Sequence, residues 1–297
     1  SAVDYFRNIL SADSELHATP DLNIISPNIS VENCDDIVRI PSIVEVREAM
    51  FSISRNSAAG PDGISSGFYK ECWEIVGEDV HSAVCEFFRT RKLPRNITAT
   101  TLALIPKIEE ACSWKSFRPI SLCNVLNKVI SKIVYSRMAE YAENIISPNQ
   151  SAFVKGRLIS DNVLLAQELM HNLNTKVRGG NVIIKLDMEK AYDRVHWSFL
   201  FDMLRAYGFD ERVVELIRGL INNCWFSVCV NGSLEGFFPS TRGLRQGDPL
   251  SPLLFVLAAD FLSRKLNKLI ELNPQYAFYS NCSMDISHLA YADDLIL

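Results

Sequence analysis

Two adjacent carboxylates, Asp293 and Asp294, follow Tyr291-Ala292 in a stretch flanked by apolar residues, Leu289 before and Leu295-Ile296-Leu297 after. The pattern predicts a hairpin with the acids at its tip. A third acid, Asp187, ends the apolar run Val182-Ile183-Ile184-Lys185-Leu186, which predicts a strand. Three acids on strand ends, with no His/Cys pair at metal-ligand spacing, suit hard divalent cations such as Mg²⁺. Two carboxylates about 4 Å apart repel by about 4 kcal/mol at an effective dielectric of about 20. One of them would then take up a proton, unless bound divalent ions removed the penalty. Two-metal phosphoryl transfer requires that layout. Asp is also common at hairpin tips for its turn chemistry alone, so the pair needs partners elsewhere in the chain. Glu189 and Asp193 are read as facing solvent or pairing with Arg194.

The elements that must position these acids follow from periodicity. Gly60-Pro61-Asp62-Gly63 is a turn, followed by a helical pattern from Ser66 to Arg89 that Gly77 should break. Thr100 to Lys107 reads as a strand. Residues 121–145 carry apolar side chains at Leu122, Val125, Leu126, Val129, Ile130, Ile133, Val134, Met138 and Tyr141, the spacing of one buried helical face. Ser160 or Asp161 can cap a helix running to about Thr175. Helices are predicted at 197–207, ended by Gly208, and at 211–222. Trp225 to Val230 alternates like a strand, and Asn231-Gly232 is a two-residue hairpin signal. Asp248 and Pro249 form an N-cap and first-turn pair for a helix reaching about Ile270. Mixed strands and helices imply an α+β chain.

The chain has 297 residues, 48% of them hydrophobic, enough for one large domain or two coupled subdomains. Its eight cysteines are scattered, with no C-x-x-C pair and no zinc-like spacing, which fits reduced thiols in an intracellular protein. The start of the chain lacks signal-peptide character. No apolar run approaches the roughly 20 residues that span a bilayer, so no membrane partner is expected. The net charge of −5 is unevenly spread. Residues 1–60 hold nine acids and four bases, whereas Arg89 to Arg137 holds ten Lys/Arg and two acids. Such a basic block can attract phosphates, or form an ordinary solvated surface. Residues 1–55 read as a leader or linker, with short helices at 1–10 and 43–54 and no chemistry.

Seven segments, in order, resemble the reverse transcriptase of LINE-type (non-LTR) retrotransposons, with a plant-like flavour. The first palm motif of that family resembles Lys185-Leu186-Asp187-Met188-Glu189-Lys190-Ala191-Tyr192-Asp193. The second resembles Gly243-Leu244-Arg245-Gln246-Gly247-Asp248-Pro249-Leu250-Ser251-Pro252, and the third Tyr291-Ala292-Asp293-Asp294. Upstream stand Gly60-Pro61-Asp62-Gly63-Ile64, Leu104-Ile105-Pro106-Lys107, Phe117-Arg118-Pro119-Ile120-Ser121-Leu122, and Gln150-Ser151-Ala152-Phe153-Val154 with Gly156-Arg157. The resemblance covers roughly residues 50–297.

The resemblance implies a right-hand polymerase, with fingers at 56–180 and a palm at 181–297 that holds a small antiparallel sheet packed with helices. It implies RNA-directed DNA synthesis from dNTPs on an RNA template and DNA primer, using two Mg²⁺ or Mn²⁺ ions. Asp187 and Asp293 would be the principal metal ligands, Asp294 a weaker or outer one, and the backbone carbonyl of Met188 a further one. Tyr192 would gate the sugar. Gln246, with Arg245 near it, would touch the nucleotide, and Lys107 and Arg118 would meet the triphosphate. Gly243 and Gly247 would permit close backbone approach, and Gly156 and Arg157 would contact template or shape the fingers. The chain ends three residues after Asp294, so the family's thumb, primer grip and upstream endonuclease are expected to lie outside it, and the last strand is expected to lack neighbours. The rival readings are an inactive relic or RNA-binding module that keeps the fold, and a group II intron maturase-like protein. A nuclear or cytoplasmic ribonucleoprotein location is the family expectation.

Overall fold

The computed structural model describes residues 1–11, 20–171, 173, 180–278 and 286–297. Among its described residues the N-terminal segment forms three helices where two were expected: α1 (Ala2–Leu10), α2 (Val31–Val38) and α3 (Ile43–Ser52). Each is opened by a serine whose hydroxyl accepts from a backbone N–H three residues on, at Ser1, Ser30 and Ser42. The α2 signal was Ser30 with Asn33, a capping box with Asn in place of Glu. Arg137 fastens this segment to the body. Its buried guanidinium donates to both carboxylate oxygens of Glu45 (2.8 and 2.9 Å) and to the carbonyls of Ile37 and Arg39.

The predicted break at Gly77 falls instead at Cys72, between α4 (Ser66–Glu71) and α5 (Trp73–Thr90). Gly77 lies inside α5 because the Trp73 ring needs the room; a Cβ there would sit 2.9 Å from the indole. The predicted helix at 121–145 also starts later, as α7 (Val125–Ile145). Its first expected turn belongs to a strand. Ala99–Pro106 (β1) and Phe117–Cys123 (β2) pair antiparallel from Thr100 opposite Cys123 to Pro106 opposite Phe117. After α6 (Arg95–Thr98), α7 and α8 (Ile159–His171), the helices α9 (Trp197–Tyr207) and α10 (Glu211–Ile221) lie where periodicity put them. The expected end of α8 at Thr175 lies outside the described residues.

Trp225–Val230 (β4) and Ser233–Pro239 (β5) form the anticipated hairpin around Asn231-Gly232, and β4 then pairs parallel with β1. The result is a mixed four-stranded sheet in the order β2-β1-β4-β5. It joins residues from both sides of the expected 180/181 boundary. A second, wholly antiparallel sheet has the order β3-β7-β6, with β3 at Lys185–Asp187, β6 at Leu289–Tyr291 and β7 at Asp294–Ile296. The last strand is therefore the central one, with Leu295 buried, and does not want for neighbours. Paired backbone bonds between Ile184 and Leu297 (2.8 and 2.9 Å) extend the ladder.

One continuous apolar core joins α3, α5, α7, α9, α10 and α11 (Ser251–Leu272), through side chains such as Met50, Phe88, Ile133, Leu204, Ile217 and Leu257. A smaller core seats Phe6 of α1 against Leu102, Phe226 and Phe238 of the mixed sheet. Among the described residues no helix is long and apolar enough to cross a membrane.

Candidate active site

The ladder sets the acids. Asp187 stands directly opposite Asp294 and Leu186 opposite Leu295, so the end of β3 meets the root of the β6–β7 hairpin. Tyr291 pairs with Asp294, leaving Ala292 and Asp293 as a two-residue loop. Ala292 has φ +54°, a left-handed conformation unfavourable to residues with a Cβ. Asp187 and Asp293 line one open cleft of about 390 Å³ with Met188, Tyr192, Gln246, Lys107 and Arg118. Asp294 does not line it; its carboxylate pairs with Lys185 of β3 at 3.2 Å.

The cleft carries both signs of charge. The ends of β1 and β2 bring Lys107 and Arg118 to it, and the Lys107 N–H donates to Ser116 C=O (2.8 Å) across the turn. Asp187 of β3 and Asp293 of the hairpin line the same cleft, with Glu189, Lys190 and Asp193. Among the described residues no three acidic, His or Cys side chains are gathered into a ready-made metal cage. Two carboxylates in one cleft with basic residues still match Mg²⁺, which takes one or two protein carboxylates and completes its octahedron with water and substrate phosphates.

Tyr192 lies in a short 3₁₀ turn, Tyr192–Arg194, and its ring stacks on Phe255 of α11 at 4.7 Å between centroids and 15° between planes. Burial, and then the nearby Asp293 charge, hold its phenol neutral by raising its pKa. Asp193 overturns its solvent-facing expectation. It is 4% exposed, and its carboxylate accepts from the Gln246 side-chain amide at 3.1 Å. The 3₁₀ turn aims it inward, and burial raises its pKa. Arg194 pairs with Glu189 instead, at 3.6 Å.

The loop carrying Gln246 is strapped to this turn. The Gly243 N–H donates to Val195 C=O and the Leu244 N–H to Tyr192 C=O, both at 2.8 Å. At Gly243, φ is +86° and a Cβ would lie 2.8 Å from the Asp193 carbonyl oxygen, so only glycine fits. Gly247 (φ +110°) lies against Ser121, whose N–H donates to Gln246 C=O (2.8 Å).

Arg245 does not face the cleft. Its buried guanidinium donates to Asp248 (2.6 Å) and Asn127 (2.8 Å) beneath the loop. Asp248 is therefore not the N-cap of α11, which begins at Ser251. One of its oxygens accepts from Arg245 and Ser131, and the other from the Leu250 N–H. Gly156 and Arg157 also lie off the cleft. Arg157 donates to the carbonyls of Glu143, Ile146, Ser147 and Gln150, sealing the end of α7. Sequence reasoning gave no role to Gln150, Phe255 or Lys190. The Lys190 ammonium lies 4.6 Å above the Tyr5 ring of α1, tying the cleft floor to the first helix.

A family model described as reverse transcriptase (RNA-dependent DNA polymerase) matches residues 105–297. The chain is 30% identical, over its whole length, to a transposon TX1 uncharacterized 149 kDa protein of Xenopus laevis, covering 22% of that protein. It is 28% identical over 82% of its length to a retrovirus-related Pol polyprotein from a type-1 R2 retrotransposable element of Nasonia vitripennis, and covers 22% of it. It is 29% identical over 99% of its length to the corresponding polyprotein of the Drosophila melanogaster type-2 element R2DM, and covers 26% of it. The chain thus spans about a quarter of the length of these relatives.

Proposed function

The chain belongs to the reverse transcriptase family, and from that premise we propose that its cleft joins deoxynucleotides to a DNA primer 3′ end on an RNA template. The observation that carries the reading is the convergence of Asp187 and Asp293 on a cleft that Lys107 and Arg118 also line. Asp187, Asp293 and the Met188 carbonyl would hold two Mg²⁺ or Mn²⁺ ions, with Asp294 in an outer place beside Lys185. Such ions, when bound, supply an acidified 3′-hydroxyl and a neutralised pyrophosphate leaving group.

The protein's own groups do the rest. Lys107 and Arg118 bind the triphosphate as charge-assisted donors. The Tyr192 ring, backed by Phe255, fills the space a ribose 2′-hydroxyl would need. Gln246, its amide held by Asp193, presents its remaining edge to the incoming nucleotide. Gly243 and Gly247 keep the loop low enough for that approach.

Primer extension on an RNA template tests this. The chain should extend a DNA primer with dNTPs only when Mg²⁺ or Mn²⁺ is present, and Asp187→Asn should abolish extension while leaving the fold intact by circular dichroism. Extension retained in that variant would reject the site. Template binding without metal-dependent extension by the unaltered chain would favour a non-enzymatic RNA-binding role.

A further inference from the structure

Gln150 lies far from the cleft in sequence and does not line it, yet it holds the residue next to Asp293. Its side chain is 2% exposed, and its carboxamide engages both backbone groups of Ala292. The Ala292 N–H donates to Gln150 Oε1 at 2.9 Å, and Gln150 Nε2 donates to Ala292 C=O at 3.3 Å. The same Oε1 accepts from the Ala152 N–H at 3.0 Å. Ala292 is the hairpin residue with φ +54°. A buried carboxamide thus takes the place of a neighbouring strand at the one point of the hairpin where the backbone is strained.

The clamp is anchored on its own side. The Ser151 N–H donates to Ala290 C=O (3.0 Å) and the Ala290 N–H to Asn149 C=O (2.9 Å), so residues 149–151 run along β6 as a parallel bridge. Asn162 of α8 donates to the same Ala290 carbonyl at 3.0 Å. Arg157 donates to the carbonyls of Ser147 and Gln150 (2.6 and 2.7 Å). The rigid end of α7 is thereby connected, through Arg157 and the 147–151 segment, to the Ala292 peptide.

We propose that Gln150 is a positioning residue that sets the direction of the Asp293 carboxylate, and through it the divalent-cation affinity of the cleft; this rests on the reading that Asp187 and Asp293 bind metal. The separation of those two carboxylates depends on the ladder, which fixes Asp187 against Asp294, and on the Ala292–Asp293 loop. Gln150 governs the second. The requirement is specific to a carboxamide of this length. Glutamate has no donor for Ala292 C=O, and asparagine is one methylene shorter.

Mn²⁺ binding followed by electron paramagnetic resonance, without nucleic acid, reads this apart from turnover. Gln150→Ala should weaken Mn²⁺ binding about five- to tenfold and raise the Mg²⁺ needed for half-maximal extension by a similar factor. At saturating metal the dNTP KM should change less than about threefold. Adding Ala292→Gly, which removes the Cβ conflict at positive φ, should recover part of the loss in the double variant. Mn²⁺ binding and Mg²⁺ dependence unchanged in Gln150→Ala, while Asp187→Asn loses both, would overturn the positioning role and leave the metal site standing. Binding and extension retained in Asp187→Asn would instead remove the metal-site reading itself. If Gln150→Ala does not fold, amide exchange in the unaltered protein decides: the Ala292 N–H should exchange as slowly as its β6 neighbours, and prompt exchange would refute the clamp.

Discussion

Gln246 donates its side-chain amide to the buried carboxylate of Asp193 across 3.1 Å, joining two segments 53 residues apart at the floor of the cleft. The bond uses one amide hydrogen of Gln246 and leaves its carbonyl oxygen and second hydrogen for a ligand. Asp193, which itself lines the cleft, thereby orients a candidate nucleotide-contacting group.

Asp193→Asn should preserve that orientation, since the amide oxygen still accepts, and should hold the dNTP KM within about threefold. Asp193→Ala strands the Gln246 amide and should raise KM more than the conservative change. The stability effect has a definite sign. Burial raises the folded-state pKa of Asp193 above its unfolded value. Its contribution is therefore fully present below the unfolded pKa and is lost as pH rises through the folded one. Asp193→Asn should stabilise the protein at neutral pH relative to the parent, and the advantage should vanish in acid. Urea melts at pH 7.5 and pH 4 check this.

Arg245 and Asp248 form an ion pair in which both side chains are almost wholly buried. Removing one partner leaves the other charged in the core, which costs about 3–5 kcal/mol. Arg245→Ala should lower the unfolding free energy by that order in a urea titration. Because the guanidinium points beneath the loop, the folded fraction of a milder variant, Arg245→Lys, should keep a near-parental dNTP KM. A large KM rise in that folded fraction would place Arg245 at the nucleotide after all.

The contrast between Arg245 and its neighbour Gln246 shows what a linear motif can and cannot say. The motif locates a tight loop, because Gly243 and Gly247 must take positive φ against packed backbone. It does not say which of two adjacent polar side chains turns into the core; that depends on Asn127 and Ser131, buried polar positions on α7, more than a hundred residues upstream. The meeting of Asp187 with the hairpin was legible because each acid ends an apolar strand. Strand β2 was not, since Ser121-Leu122 also continue the helical spacing of α7, and the antiparallel partner β1 decides between them. Gln150 stands within a motif, but its role is not readable there, because its partner Ala292 is 142 residues away.

The Tyr192 ring is held by a stack on Phe255, so sugar discrimination should depend on both. Tyr192→Ala should admit ribonucleotides, seen as a fall in the dNTP/rNTP ratio of kcat/KM. Phe255→Leu keeps apolar volume but removes the flat face, with aromatic pairing worth roughly 0.5–1.5 kcal/mol. It should lower the same ratio about two- to tenfold, with a smaller loss of dNTP turnover than Tyr192→Ala. A ratio unchanged in both variants would remove Tyr192 from the gate.

His288, just before β6, is 1% exposed and bridges the hydroxyls of Ser263 (2.8 Å) and Ser287 (2.7 Å). Burial pulls its pKa down to about 4, opposed weakly by Asp260. The unfolded chain binds a proton near pH 6.5 that the folded chain refuses until about pH 4. Stability from this group is therefore complete above about pH 6.5 and falls as the pH drops toward 4, by on the order of 2–3 kcal/mol across the window. Since Asn149 also donates to His288 C=O (2.9 Å), protonation should first loosen the 149–151 segment along β6. Protection factors of residues 289–297, taken against the intrinsic exchange rate at each pH, should fall between pH 6.5 and 5 in the parent protein. His288→Gln, which cannot take up a proton, should flatten that fall, and an equally steep dependence in the variant would assign it to another group.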